Sequence, residues 1–244
     1  MPNSLGPVIP EYAYILDYFD DGYRLGKPAN ADNFHSIGYA SSAELGLTEK
    51  SRTFGDRIPY ARYESTADRS SAVTAYVLDD IVDDTVGFTV EYFIRTAEND
   101  AWVKSTAALG PNTFLLMMSH SQEGVWGHST YSGWSWQTIP GNIISTPWHA
   151  AWHHIAYTVL RGPESDEFNI TVRLYVDGIQ VKYTTNWAHG APGRYTIWTS
   201  DCLNDSNYAT NYGFYDMTQV TVWNYIRYTG NSFYVPRKLY VDGQ

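Results

Sequence analysis

The stretch "WHAAWHHIAYTV", residues 148–159, places His149, His153 and His154, three of the chain's seven histidines, within six positions. Imidazoles so close could hold a metal ion. On a helix His149 and His153 would share a face four residues apart, as zinc ligands often do. The glutamate that a zinc hydrolase needs beside its first histidine is missing, with Ala150 in its place. On a strand, adjacent residues point to opposite faces, so His153 and His154 could not share an ion. The strand reading expects one imidazole hydrogen-bonded in or near the core and the other at the rim, with no metal chemistry.

Other reactive constellations are thin. There is no Gly-x-Ser-x-Gly elbow, and the single cysteine, Cys202, lies in a polar Asp/Asn stretch with no base near it in sequence. Glu91 is the only carboxylate of its alternating run. Two acidic runs carry the oxygen ligands that calcium takes. They are "LDDIVDDT", with Asp79, Asp80, Asp83 and Asp84, and "SDCLNDSN", with Asp201, Asn204 and Asp205. Neither is an EF-hand loop, and solvated loops of an acidic protein would look the same. Trp126, Tyr131, Trp134 and Trp136 fall within eleven residues of a Gly- and Ser-rich stretch. Such rings can stack on the apolar faces of sugars or fill the space between two sheets, and both readings stand. Trp134 and Trp136 share a strand face by parity.

These groups must be positioned by strands. Helical periodicity is nearly absent, and period-two runs recur between Gly, Pro, Asn and Asp clusters. "VGFTVEYFIRT" (86–96) alternates Val86, Phe88, Val90, Tyr92 and Ile94 with a mixed face of Gly87, Thr89, Glu91, Phe93 and Arg95. "YAYILDY" (12–18), "TFLLMMSH" (113–120), "WHHIAYTVL" (152–160), "YTIWTS" and "YDMTQVTVWNY" read as further strands. "GVWGHSTYSGWSWQTI" reads as two strands around a turn. "ITVRLYVDGIQVKYT" (170–184) holds the strongest hairpin signal, Asp177-Gly178 between alternating apolar residues. Residues 25–70 are polar and weakly patterned, with short strands such as "RIPYARYES". About a dozen strands without intervening helices predict an all-β, two-sheet antiparallel sandwich.

Composition narrows the function. A net charge of −10 disfavours nucleic-acid backbones and anionic membranes, and permits cations and neutral sugars. No apolar run approaches the ~18 residues of a membrane span. The start, "MPNSLGPVIP", has neither a basic region nor an apolar core, so no Sec-type signal peptide is expected. One cysteine allows no internal disulfide, which fits folding in a reducing compartment.

Two segments carry a resemblance. Trp152, His153, His154, Ile155 and Ala156, followed by Leu174, Tyr175, Val176, Asp177 and Gly178, are similar to the Trp-His-His strand and Leu-Tyr-Val-Asp-Gly hairpin of laminin-G-like, concanavalin A-like jelly-roll domains. "GFTVEYFIRT" resembles that family's Phe-Thr-x-Glu-x-Trp strand, with Phe93 at the usual tryptophan. The end of the chain resembles the tails of such domains in phage structural proteins, through Arg227, Tyr228, Thr229, Asn231, Phe233 and Pro236. Here Ile226 replaces an alanine and Ser232 separates the Asn and Phe.

The resemblance implies a single jelly roll over 12–236, an N-terminal arm (1–11) and a C-terminal tail (237–244). It implies a non-catalytic bacteriophage virion structural protein on the particle surface, made in bacterial cytoplasm. Head decoration and tail appendage are both open. Its expected partners are other virion proteins, a host-surface glycan and further copies of itself, without nucleic acid or membrane insertion. Family members also bind Ca²⁺ at a sandwich rim, which would fall to Asp79, Asp80, Asp83 and Asp84; no other cofactor is implied. The glycan would meet Trp126, Tyr131, Trp134 and Trp136. Pro7, Pro10, Arg237 and Lys238 would serve assembly, or belong to loose termini. Alternatives are a free lectin-like module, a capsid cement without ligand, and a polysaccharide hydrolase. The last lacks the Glu-x-Asp-x-x-Glu strand by which laminarinase-type jelly rolls align their carboxylates.

Overall fold

The computed structural model describes residues 13–17, 36–64, 73–77, 82–83, 85–96, 103–108, 114–120, 123–130, 133–138, 151–162, 169–188, 196–200 and 214–240. Side chains are described in 38–60, 82–83, 85–95, 151–162, 170–183 and 216–240. The described elements are all strands. They are β1 (Ala13–Asp17), β2 (Ser36–Ala40), β3 (Ile58–Glu64), β4 (Val73–Val77), β5 (Phe88–Thr96), β6 (Val103–Ala108) and β7 (Phe114–His120). There follow β8 (Glu123–Thr130), β9 (Gly133–Thr138), β10 (His153–Arg161), β11 (Asn169–Val176), β12 (Ile179–Ala188), β13 (Thr196–Ser200) and β14 (Phe214–Trp223).

They form two antiparallel sheets. One has the order β12-β11-β10-β5-β14-β3-β2, with β1 also pairing β14, and the other the order β4-β13-β6-β7-β8-β9. β14 takes β3 along its first half and β1 along its second. Between the halves the register with β5 shifts from Thr218↔Phe93 to Thr221↔Glu91, and Gln219 sits there at φ 59. The extra residue of such a bulge lets one long strand serve two partners on the same side.

Register explains the core. Phe88, Val90 and Tyr92 of β5 stand level with Val159, Tyr157 and Ile155 of β10, which continue into Val172, Leu174 and Val176 of β11. All are buried, Tyr92 being the most exposed at 3%. This is the face that a sandwich closes against its second sheet. The opposite face holds Thr89, Glu91, Phe93, His154, Ala156, Thr218 and Thr221, and it is buried as well. Residues 41–56 and 224–240 cover it. Leu45, Leu47, Phe54, Val235 and Leu239 pack with Phe93 and Trp152, while Tyr228 and Phe233 pack on Ala156 and Tyr175. A sheet covered on both sides needs no strictly polar face, hence the mixed alternation of β5.

The segment after β14 is a closed loop rather than a loose end. It leaves at Trp223 and returns with Tyr240, whose ring lies edge-on to Trp223 at 4.8 Å. In between, Thr48 N–H donates to the Arg237 carbonyl at 3.0 Å, tying the loop to the other covering segment.

Candidate functional site

The histidine strand and the Asp-Gly hairpin are halves of one clamp. β10 and β11 pair from Ile155↔Val176 onward, which brings the hairpin tip back beside the start of β10. Asp177 and Gly178 both adopt positive φ, 48° and 77°, the pair that a two-residue primed turn requires. The Asp177 carboxylate accepts from the His154 backbone N–H at 2.9 Å and from His153 Nδ1 at 2.7 Å. Its own N–H donates to the His154 carbonyl at 2.8 Å. The motif is therefore a hydrogen-bonded lock whose parts are more than twenty residues apart in sequence. Asp177→Ala removes two acceptors from nearly buried donors and replaces a side chain that tolerates the left-handed conformation by one that does not. We expect a loss of about 2–3 kcal/mol in urea unfolding, with Asp177→Asn losing roughly half as much because it keeps one acceptor and tolerates the turn.

His154 points to the opposite face from His153, and there it meets Glu91. Its Nε2 lies 3.1 Å from Glu91 Oε2, and Tyr228 OH donates to the same oxygen at 2.8 Å. Trp223 Nε1 donates to Glu91 Oε1, and Arg227 Nη1 lies 3.7 Å from that oxygen. The Glu91 side chain is 1% exposed. Burial pushes its carboxyl up, but the hydrogen bond and charge of His154, then Arg227 and Tyr228, outweigh burial and hold it below the ordinary glutamate range. The Tyr228 hydroxyl is raised, first by burial and then by the Glu91 charge, so it stays protonated and donating. Arg227 is stacked over Trp223 at 4.1 Å and Tyr240 at 4.7 Å. These polar neighbours of Glu91 come from the two strands beside it, β10 and β14, and from the loop after β14. With its side chain 1% exposed, the carboxylate is closed off from solvent.

A third cluster lies toward β2 and β3. Arg95 Nε and Nη2 donate to Asp216 Oδ2 at 3.1 and 2.7 Å, and the Asp216 side chain is fully buried. The guanidinium lies 4.9 Å from the Trp152 ring and reaches Glu44 Oε1 at 3.5 Å. Tyr60 stacks edge-on to Trp152 at 5.4 Å. Trp152 and Tyr60 are each 9% exposed, so their faces are spent on the protein itself.

No protein-family model matches the sequence, and no curated protein does. Solved structures do match. The Bacillus licheniformis beta-glucanase superposes with a TM-score of 0.51 at 11% identity, covering 88% of this chain and 98% of that one. An alginate lyase, Aly36B, solved as a double mutant with alginate tetrasaccharide, matches with a TM-score of 0.50 at 11% identity, over 81% of this chain and 96% of that one. The chain has the fold of a two-sheet antiparallel jelly-roll sandwich.

Of the residues singled out from sequence, the three tryptophans lie on two neighbouring strands. Trp126 lies in β8 and Trp134 and Trp136 in β9, with Trp126 level with Gln137, Gly127 with Trp136 and Ser129 with Trp134. Trp126 is therefore one residue out of phase with the other two. Tyr131, Asp79, Asp80, Asp84, Pro7, Pro10, His149 and Cys202 lie outside the described residues. Asp83 caps a turn: its carboxylate accepts from the Thr85 hydroxyl at 2.6 Å and the Thr85 N–H at 2.9 Å. Among the described residues no three His, Cys, Asp or Glu side chains gather as a metal site would require. Arg237 and Lys238 are exposed, the latter 3.0 Å from Glu49.

One expectation needs correcting. Neither histidine faces the rim, since His153 is 1% and His154 2% exposed. Each found a carboxylate, His153 that of Asp177 at the hairpin tip and His154 that of Glu91 on the neighbouring β5. Glu91, Trp223, Arg227 and Tyr228 were not grouped from sequence. The available signal was a glutamate at the centre of an otherwise apolar strand, which demands buried donors.

Proposed function

We propose that this jelly roll is a non-catalytic structural protein of a bacteriophage virion, displayed on the particle surface as head decoration or tail appendage and assisting adhesion to host-surface glycans. The observation that carries the non-catalytic part is the enclosure of Glu91, a carboxylate at the centre of the described sheet, by His154, Tyr228, Trp223 and Arg227. Glycan binding draws support from the two solved structures that share the fold, a glucanase and a lyase solved with an alginate oligosaccharide. The virion reading rests on the Arg-Tyr-Thr…Asn…Phe…Pro tail. In it Arg227, Tyr228 and Phe233 belong to the packed cover of the sheet, so the resemblance extends through residues that build the fold. Its partners are other virion proteins and copies of itself. Calcium, if it binds, would take the acidic run at 79–84.

The test is gold-labelled antibody microscopy on gradient-purified particles of the source phage. Label on capsid or tail is the expected result, and the position of the label separates decoration from adhesion. Unlabelled particles would overturn the virion reading in favour of a free lectin-like module. Release of reducing ends from a polysaccharide, abolished by a single Asp or Glu substitution, would replace it by a hydrolase.

A further inference from the structure

The loop that closes over the eight-stranded sheet has an inner and an outer side of different chemistry. Inward go Phe233, whose ring stacks on Tyr228 at 3.5 Å, and Val235 and Leu239, which pack with Phe93 and Trp152. Outward, between Phe233 and Val235, stands Tyr234. It is 94% exposed, the most of any large apolar side chain among the described residues. Gly230, Asn231, Ser232, Arg237 and Lys238 are exposed on the same loop. The backbone that displays them is held at three points. Phe233 N–H donates to the Gly178 carbonyl at 2.8 Å, Gln180 N–H to the Asn231 carbonyl at 2.9 Å and Thr48 N–H to the Arg237 carbonyl at 3.0 Å. Tyrosine offers a large contact area with little rotamer freedom to lose, and Tyr, Ser, Gly, Asn and Arg are the residues that recognition surfaces favour. On an anchored loop they are already arranged for contact.

Charge is sorted as well. The two covering stretches, 41–56 and 224–240, hold Lys50, Arg52, Arg227, Arg237 and Lys238 against Glu44, Glu49 and Asp56. Each of those carboxylates is matched, Glu44 by Arg95 at 3.5 Å, Glu49 by Lys238 at 3.0 Å and Asp56 by Lys50 at 3.1 Å. Arg227 is turned inward, onto Trp223 and toward Glu91. Arg52 and Arg237 remain, exposed and with no carboxylate partner among the described residues. The cover is therefore cationic on a chain whose net charge is −10. Taking its five cations and three carboxylates from the chain's 16 and 26 leaves 11 cations and 23 carboxylates elsewhere.

We propose that the outer side of residues 229–238, centred on Tyr234 and Arg237, docks on the acidic surface of a second copy of this chain. It rests on the reading above that the protein partners copies of itself, and gives that partnership a surface. The occupant follows from charge complementarity, because each copy carries, outside its cover, the surplus of carboxylates that the loop lacks. Two loops face to face would set like charges against each other. The contact therefore joins the loop to a different surface, in a head-to-tail arrangement that repeats from copy to copy. Tyr234 supplies the aromatic anchor at its centre, and the Arg237 guanidinium takes a carboxylate through two parallel hydrogen bonds. Lys238 adds less, since Glu49 of its own chain already holds it.

The experiment is sedimentation velocity of the full chain across a wide micromolar range, at low and at high salt. The expected result is reversible, concentration-dependent association that weakens about tenfold or more at high salt. Tyr234→Ala and Arg237→Glu should each weaken it by about tenfold or more with an unchanged melting temperature, and Lys238→Ala by less. Tyr183→Ala, at a tyrosine of β12 that is 47% exposed, should associate as wild type does. In a mixture of light and heavy-isotope chains, p-benzoylphenylalanine placed at position 234 should cross-link to an acidic stretch of a second copy outside 224–240. A chain that stays monomeric at every concentration and salt overturns the proposal, while the virion reading still stands or falls by antibody labelling of particles. Association that survives both Tyr234→Ala and Arg237→Glu overturns the surface. Association indifferent to salt overturns the charge pairing, and cross-links between the 224–240 loops of two copies overturn the head-to-tail arrangement.

Discussion

Replacing Glu91 by alanine should cost about 3–5 kcal/mol, the penalty for removing one partner of a buried charged network. Its loss leaves Tyr228 OH, Trp223 Nε1 and His154 Nε2 without their acceptor, and Arg227 without its counter-charge, beneath a loop that excludes water. Because those donors lie on β10, β14 and the closing loop, the loss falls on three segments at once. Urea unfolding followed by tryptophan fluorescence reads it, since the Trp223 ring touches the cluster. Glu91→Gln keeps one acceptor and most of the volume, and should cost less than half as much. If Glu91→Ala unfolds within 1 kcal/mol of wild type, the network holds nothing together. The same network predicts an acid limit. The folded carboxyl lies below its ordinary range, so its contribution is fully present above about pH 4.5, the unfolded value, and disappears as pH falls through the lower folded value. The unfolding midpoint should therefore drop on acidification below about pH 4.5 in wild type. In Glu91→Gln that part of the drop should be missing.

Gly178→Ala is the second large effect, and it acts on the backbone. A β-carbon there would stand 2.2 Å from the Phe233 carbonyl oxygen, in a residue at φ 77°. Phe233 cannot step aside cheaply, because its N–H donates to the Gly178 carbonyl at 2.8 Å, and the neighbouring Asn231 carbonyl accepts from Gln180 N–H at 2.9 Å. The ring of Phe233 also stacks on Tyr228 at 3.5 Å, so displacement reaches the lid of Glu91. The positive φ alone costs a non-glycine residue about 1 kcal/mol, and the backbone collision adds more, so we expect about 3 kcal/mol or more in total. Limited proteolysis separates this from a simple turn defect. Cleavage within 224–240 should accelerate at least tenfold relative to wild type. Unchanged cleavage there would mean that the hairpin tip does not hold the loop down.

How much of this was legible in advance follows from the range of each interaction. The strand at 86–96 and the hairpin at Asp177-Gly178 were readable because alternation and turn chemistry are local: a side chain's face is fixed by its parity, and a primed turn by two residues. That His153 and His154 face opposite ways was readable for the same reason. Within the weakly patterned 25–70, "RIPYARYES" marked β3, while the edge strand β2 went unread, since a short edge strand needs no clean alternation. The register of β8 against β9 places Trp126 out of phase with Trp134 and Trp136, a relation that spacing in sequence does not record.

By itself the sequence determined that this chain is an all-β sandwich, where its histidine strand and hairpin lie, and that no familiar catalytic spacing is present. Those are properties of periodicity, turn residues and charge, which act over a few positions. Only the tertiary structure decided that His153 belongs to Asp177 and His154 to Glu91, that Arg95 belongs to Asp216, and that residues 224–240 close over the sheet. The reason is that a buried charge must find its partner in space. When that partner is more than a hundred residues away, as Trp223, Arg227 and Tyr228 are from Glu91, nothing in the local pattern records the pairing.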